Sequence, residues 1–161
     1  MAAVEKDLLL EMLDRSFDMR SWHGPNLRGS IRGVEPATAA ARPAPNRHNI
    51  WEHVIHAAYW KYVVRRRLLG EKRGSFALKG SNWFVRPVQA TAEAWKADVA
   101  LLEEVHNTLR AAVASLDSAD LARAAGSFSR RALILGIAAH DVYHAGQIQL
   151  LKRLHPRKRV D

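Results

Sequence analysis

The chain has no cysteine among its 161 residues. That excludes disulfide scaffolds, thiolate zinc sites, iron–sulfur clusters and a cysteine nucleophile, so any metal must be held by His, Asp or Glu. Long apolar runs are also missing. Nothing approaches the roughly 18 consecutive apolar residues that would span a bilayer, and the opening MAAVEKDLLLEML is interrupted by Glu5, Lys6, Asp7 and Glu11, unlike a secretory signal. No membrane contact is expected, and the sequence reads as cytoplasmic. Acidic residues are few: 16 Asp and Glu face 25 Lys and Arg, leaving a formal charge of +9. Such a field favours anions without choosing among nucleic acid, an acidic membrane face and a carboxylate or phosphate substrate.

What is present describes one globular domain. Apolar residues make up 48% and charged residues 25%, ordinary values for a folded soluble chain, and the length suits a single core over 1–161. Strand-like alternation is absent and four amphipathic segments stand out. The first runs from about Val4 to Trp22, with Leu8, Met12 and Phe17 near helical spacing beside Leu9 and Leu13, and stops before His23-Gly24-Pro25-Asn26. A connection to about Arg47 carries a short Ala-rich stretch at 38–41 able to form one helical turn. The second helix runs from Asn49 to Leu69, with Asn46 or Asn49 as N-cap and Gly70 as its stop. Apolar residues surround it, which makes it central, while Arg65, Arg66 and Arg67 mark a solvated far end. Residues 71–87 form a loop packed by its aromatics. A third helix spans Thr91 to Leu116 with a core stripe of Trp95, Val99, Leu102, Val105, Leu109 and Val113, and a fourth spans Ser129 to Leu154, before Pro156 and the basic end Arg157-Lys158-Arg159. The expected fold is all-α, an up-and-down four-helix bundle.

The chemistry concentrates in the fourth helix. His140 and His144 are four residues apart, so both imidazoles lie on one face, one turn apart, and both can reach one ion. That face also carries Leu133, Ile137, Ile148 and Leu151, so the histidines point inward. Paired imidazoles in an apolar interior are costly when charged and awkward when unpaired, and a metal satisfies both lone pairs. The plainer alternative is that each hydrogen-bonds a core partner. A further imidazole is available from Trp51-Glu52-His53-Val54-Ile55-His56, and periodicity does not decide between His53 and His56. Three imidazoles would leave an open site for zinc, nickel or iron. The His140-Asp141 dipeptide approaches the metalloprotease pattern His-Glu-x-x-His, but Asp is one methylene too short to serve as its base. Asp141 reads instead as a solvated residue or the partner of an arginine.

Four segments carry a family resemblance: Ser21-Trp22-His23-Gly24-Pro25-Asn26-Leu27-Arg28-Gly29, the run Ile50 to Trp60, Asn82-Trp83-Phe84, and His140-Asp141-Val142-Tyr143-His144-Ala145-Gly146-Gln147-Ile148. Together the sequence resembles the DinB-like (DNA-damage-inducible, YfiT-like) metal-binding four-helix proteins. The resemblance implies that one histidine of the second helix and the pair in the last helix bind a divalent metal, here His56, His140 and His144. His56 is preferred over His53 because the family's ligand lies six residues after the aliphatic residue that starts the helix, here Ile50; His53 is kept as a substitute or as a hydrogen-bonding partner of a ligand. Glu52 and Gln147 could supply such bonds or be ordinary polar surface residues. Of the five tryptophans, Trp22, Trp51, Trp60 and Trp95 are expected to fill space between helices, and Trp83 either does the same or lines a pocket beside the metal.

Two functions follow. Relatives in the broad superfamily include transferases and isomerases dependent on a low-molecular-weight thiol, which implies a metal-dependent transferase, isomerase or hydrolase acting on an anionic substrate with a thiol or water. The alternative is a non-catalytic metal-binding protein, acting through another protein or nucleic acid. A homodimer is expected. Nucleic-acid binding has only the charge behind it, since no base-reading motif or exposed aromatic platform accompanies the basic residues.

Overall fold

Asn49 starts the central helix. Its side chain accepts from Glu52 N at 2.8 Å, and the Glu52 carboxylate reaches back to Asn49 N at 3.4 Å, a reciprocal cap that satisfies two otherwise unpaired donors. Asn46 is not the cap; it lies at φ +58 in the preceding turn. The helix that follows ends at Gly70, whose φ of +70 is the left-handed geometry that a residue without Cβ adopts freely.

The computed structural model describes residues 2–155. Six α-helices follow in order: α1 Ala2–Phe17, α2 Leu27–Ser30, α3 Pro36–Ala40, α4 Ile50–Leu69, α5 Ala92–Ser115 and α6 Arg130–Leu154, with a 3-10 turn at Ser118–Ala122. Thr91 and Ser129 cap α5 and α6 by accepting from Ala94 N and Ala132 N, each at 3.2 Å. Among the described residues there is no strand, and no helix is long and apolar enough to cross a membrane. The basic end Arg157-Lys158-Arg159 and the stop at Pro156 lie outside the described residues.

The four long helices form the expected all-α bundle, with one difference in direction. Trp51 meets Trp95 and Asp98, and Lys61 meets His106, so α4 and α5 run parallel and do not alternate. The cause is the connection between them. It returns along the whole of α4: Gly74 N and Ser75 N donate to the Tyr62 hydroxyl, each at 3.2 Å, the Asn82 carbonyl sits at His56, and Arg86 N reaches Glu52. There Arg86 also pairs with Asp98 at the start of α5. On its other side α5 is antiparallel to α1, with Lys6 at the Ala114 carbonyl and Asp14 on Arg110. Helix α6 is antiparallel to α4 and parallel to α1, where Glu5 meets Arg131. As expected, the connection packs through its aromatics, Phe76 and Phe84 lying against Tyr59.

Several local expectations change. Helix α1 ends at Phe17, where Asp18 N and Met19 N both turn back to the Asp14 carbonyl, and residues through Trp22 leave the helix. Leu9, Leu13 and Phe17 are buried, but Leu8 and Met12 are exposed, because neighbouring helical positions differ by about 100° and one face alone meets α5 and α6. Trp22 fills no space between helices; it is 99% exposed. The arginines closing α4 are partly covered rather than solvated: Arg65 pairs with Glu71, and Arg66 donates to the Glu71 carbonyl at 3.0 Å.

The core is not continuous. One apolar cluster gathers Phe17, Leu27, Ile50, Trp51, Trp95, Leu102 and Ile148, another Leu13, Val64, Leu68, Leu109, Val113, Leu133 and Ile137. On each long helix a polar residue falls between the two, Ser16 on α1, Lys61 on α4, His106 on α5 and His140 to His144 on α6, while His56 lies within the α4 stretch of the first cluster.

Candidate metal centre

Antiparallel packing of α4 on α6 brings histidines 84 residues apart into contact. His140 Nε2 lies 3.2 Å from His56 Nε2 and 3.0 Å from His144 Nε2, and one ring nitrogen from each of the three falls within 4.8 Å of the others. His53 stands outside this group, its Nδ1 3.0 Å from His144 Nδ1. Of the two α4 histidines, His56 joins the cluster and His53 stands behind it.

Protonation sharpens the arrangement. Burial, reinforced by the neighbouring imidazoles, pushes His140 down to about 3 and His144 to about 4, and burial lowers His56 as well. All three are neutral at pH 7, each with one N–H and one lone pair. The His56 Nδ1–H donates to the Asn82 carbonyl at 2.9 Å, so its Nε2 presents a bare lone pair to the cluster. His140 Nδ1 is buried with no partner. Whichever tautomer His140 takes, the three facing nitrogens share at most two protons and at least one stays unsatisfied. The donor set fits a divalent ion: metal–nitrogen bonds of 2.0–2.1 Å in a tetrahedral site separate ligand nitrogens by about 3.3 Å, close to the spacing of these rings.

The surroundings hold the rings in place. Trp83 stacks on His56 at 3.8 Å between centroids and on His48 at 3.6 Å, which places it beside the cluster. Asn82, at φ +62, is in a left-handed conformation that Asn tolerates better than most side-chain-bearing residues. This turns its carbonyl to His56 and its Oδ1 to the Trp60 indole at 3.0 Å. Glu52 bonds none of the clustered histidines. Although burial opposes its charge, bonds from Arg42, His48 and Arg86 N hold its carboxyl below the usual range, and it anchors His48 beneath Trp83. Gln147 lies against His144.

A second polar group was not visible as a site in the sequence. Asp141 is no surface residue: it and Lys61 are fully buried and paired. Lys61 Nζ also lies 3.2 Å from His106 Nδ1 and 4.9 Å from the Phe17 ring centroid, with His106 stacked on Phe17. Burial drives Lys61 down and Asp141 up, toward their neutral forms, and their mutual attraction opposes this. The available signal was Lys61 itself, a lone charge inside the apolar run Ala57-Ala58-Tyr59-Trp60-Lys61-Tyr62-Val63-Val64.

No curated protein and no solved structure matches the chain. The family model of the DinB superfamily matches residues 21–148, a span that contains His56, Asn82, His140 and His144 and most of the chain. An all-α bundle with a buried histidine cluster agrees with that match, and the chain belongs to the DinB superfamily.

Proposed function

We propose that His56, His140 and His144 hold one divalent metal ion, zinc, nickel or iron, and that the protein is a metal-dependent transferase, isomerase or hydrolase acting with a low-molecular-weight thiol or with water. The observation that carries this reading is the convergence of three neutral ring nitrogens with too few protons to satisfy one another. A divalent ion with three protein ligands and an open position lowers the pKa of a thiol or water bound to it and polarises an electrophile. The chain's own residues orient and shield. The Asn82 carbonyl fixes the His56 tautomer, and with the His144 Nε2 lone pair on the ion the His144 proton would sit on Nδ1, where His53 Nδ1 at 3.0 Å would accept it. Trp83 covers one face of His56 against water, and the +9 charge draws anionic substrates in.

Elemental analysis of untagged protein tests the site. One ion per chain is expected, falling to near zero in His140→Ala/His144→Ala and in His56→Ala, with helical circular dichroism retained. Full stoichiometry in the double variant removes the site, and loss of metal in His53→Ala with retention in His56→Ala reassigns the second-helix ligand. Turnover of electrophiles in the presence of metal and added thiol, absent without either, supports catalysis; a loaded protein inert across thiols, electrophiles and hydrolysable esters leaves a metal-binding protein without catalysis.

A further inference from the structure

A cavity of about 670 Å³ lies between the C-terminal half of α4 and the connection at 73–81, within the range typical of small-molecule sites. Its charge is one-sided. Arg66, Arg67, Arg73 and Lys79 line it and no carboxylate does. Glu71, the acid that follows α4 in the chain, is engaged by Arg65, and among the described residues Arg67, Arg73 and Lys79 form no ion pair. Arg66 gives one nitrogen to the Glu71 carbonyl, but its Nε is buried with no partner. Gathering like charges around a cavity and burying an unpaired guanidinium nitrogen both cost free energy that a bound anion would return. The Tyr62 hydroxyl, holding Gly74 N and Ser75 N, keeps this stretch of the connection against α4.

The other walls are aromatic, from Tyr59, Trp60 and Phe76. Trp60 is shared with the histidine cluster, its ring centroid 6.4 Å from that of His56 and 6.5 Å from that of His140. Ser81, at the same end, precedes the residue whose carbonyl holds His56. From His56 to Arg67 the helix rises about 16 Å at 1.5 Å per residue.

We propose that this cavity binds the anionic end, carboxylate or phosphate, of an elongated small molecule whose apolar body lies along Tyr59 and Trp60 and whose opposite end reaches the histidine cluster. The placement of the reacting end rests on the metal-dependent reading above; the anion site itself does not. Arg66, Arg67 and Arg73 at one end, with Lys79 along the wall and aromatic rings toward the histidines, select a molecule with charge at one terminus, so a neutral analogue of the same shape gains only the apolar part of the contact.

The test is a calorimetric titration with 4-phenylbutyrate, phenyl phosphate and the neutral 4-phenylbutanol, on metal-free and zinc-loaded protein. At least one anion is expected to bind tenfold or more tighter than the alcohol, in both forms of the protein, and to weaken as salt rises. Arg73→Gln and Lys79→Gln change exposed side chains and leave the fold intact; together they are expected to weaken the anion at least fivefold, and adding Arg66→Gln to lower it further. Arg32→Gln/Arg153→Gln, equal in charge change to the double cavity variant and outside the cavity lining, should leave the affinity within twofold. Equal binding of acid and alcohol, or an Arg73→Gln/Lys79→Gln variant that binds like the parent, overturns the proposal. So does loss of anion binding in His140→Ala/His144→Ala with none in the cavity variants, which places the anion on the ion. Metal stoichiometry, measured separately, falls or stands with the metal reading alone: anion binding to a chain that holds no metal supports the cavity and removes only the proposed reaction.

Discussion

Two polar groups interrupt the same bundle core, about a turn and a half apart along α4, and they solve burial in opposite ways. Around Lys61 the chain supplies its own cation: the ammonium meets the Asp141 carboxylate, the His106 lone pair and the Phe17 ring face. Around His56 no cation is supplied. Three neutral imidazoles face one another, and the one carbonyl nearby already takes the His56 N–H. The first group supplies its own opposite charge within the chain, although Asp141 Oδ1 is buried without a partner; the second has no such charge and is the one proposed above to take a divalent ion. A buried cluster of lone pairs is therefore informative when the cations that would neutralise it are engaged elsewhere in the chain.

Removing a partner from the first group should have the largest effect on stability. Asp141→Ala leaves the Lys61 ammonium buried without its counter-ion, and a loss of about 3–5 kcal/mol is expected in urea denaturation. Lys61→Met/Asp141→Leu, which removes both charges, should recover most of it. If the double variant is as unstable as Asp141→Ala, the pair is not the self-contained unit described.

In the other group, His53→Ala should leave the ligand count unchanged and weaken metal affinity by roughly 10–100-fold, because His144 loses the acceptor that orients it. A competitive chelator titration measures this, and an unchanged affinity would show that His144 needs no orientation from α4.

Acid separates the groups less sharply. Burial, with help from the Lys61 and Arg110 charges, holds His106 down at about 3 against an ordinary 6.5. Between those values the unfolded chain binds the proton that the folded chain refuses, so this contribution is whole above pH 6.5 and is lost as the pH falls through the window. From pH 7 to pH 5 the loss is about 2 kcal/mol for His106 alone, and the lowered His53, His140 and His144 add to it in metal-free protein. Urea midpoints at the two pH values check the sign; equal or greater stability at pH 5 contradicts it. The smallest effect belongs to Trp22, which is 99% exposed: Trp22→Ala should move stability by less than about 0.5 kcal/mol, whereas the buried Trp51→Ala should cost several.

The histidine pair on α6 was legible because a four-residue spacing is a geometric statement on any helix, and the inward face was legible because Leu133, Ile137 and Ile148 share it. The third member was not, since His53 and His56 both lie on a helix covered with apolar residues all round and only the angle of α6 against α4 separates them. Asp141 was misread for a related reason: a carboxylate implies solvent unless a cation meets it, and its cation stands 80 residues earlier on another helix.

By itself, the sequence determined the helical class, an asparagine cap at Asn46 or Asn49 for α4, the approximate starts of α5 and α6, the central place of α4 and the exclusion of cysteine thiolates, because these depend on composition and on contacts within a few residues. The parallel course of α4 and α5, the meeting of His56 with the α6 histidines, the Lys61–Asp141 pair and the cationic cavity were decided only by the tertiary structure. Each requires groups distant in the chain to meet, and which groups meet is set by the path of the connection after α4 and by the packing angle of whole helices, which no local pattern encodes.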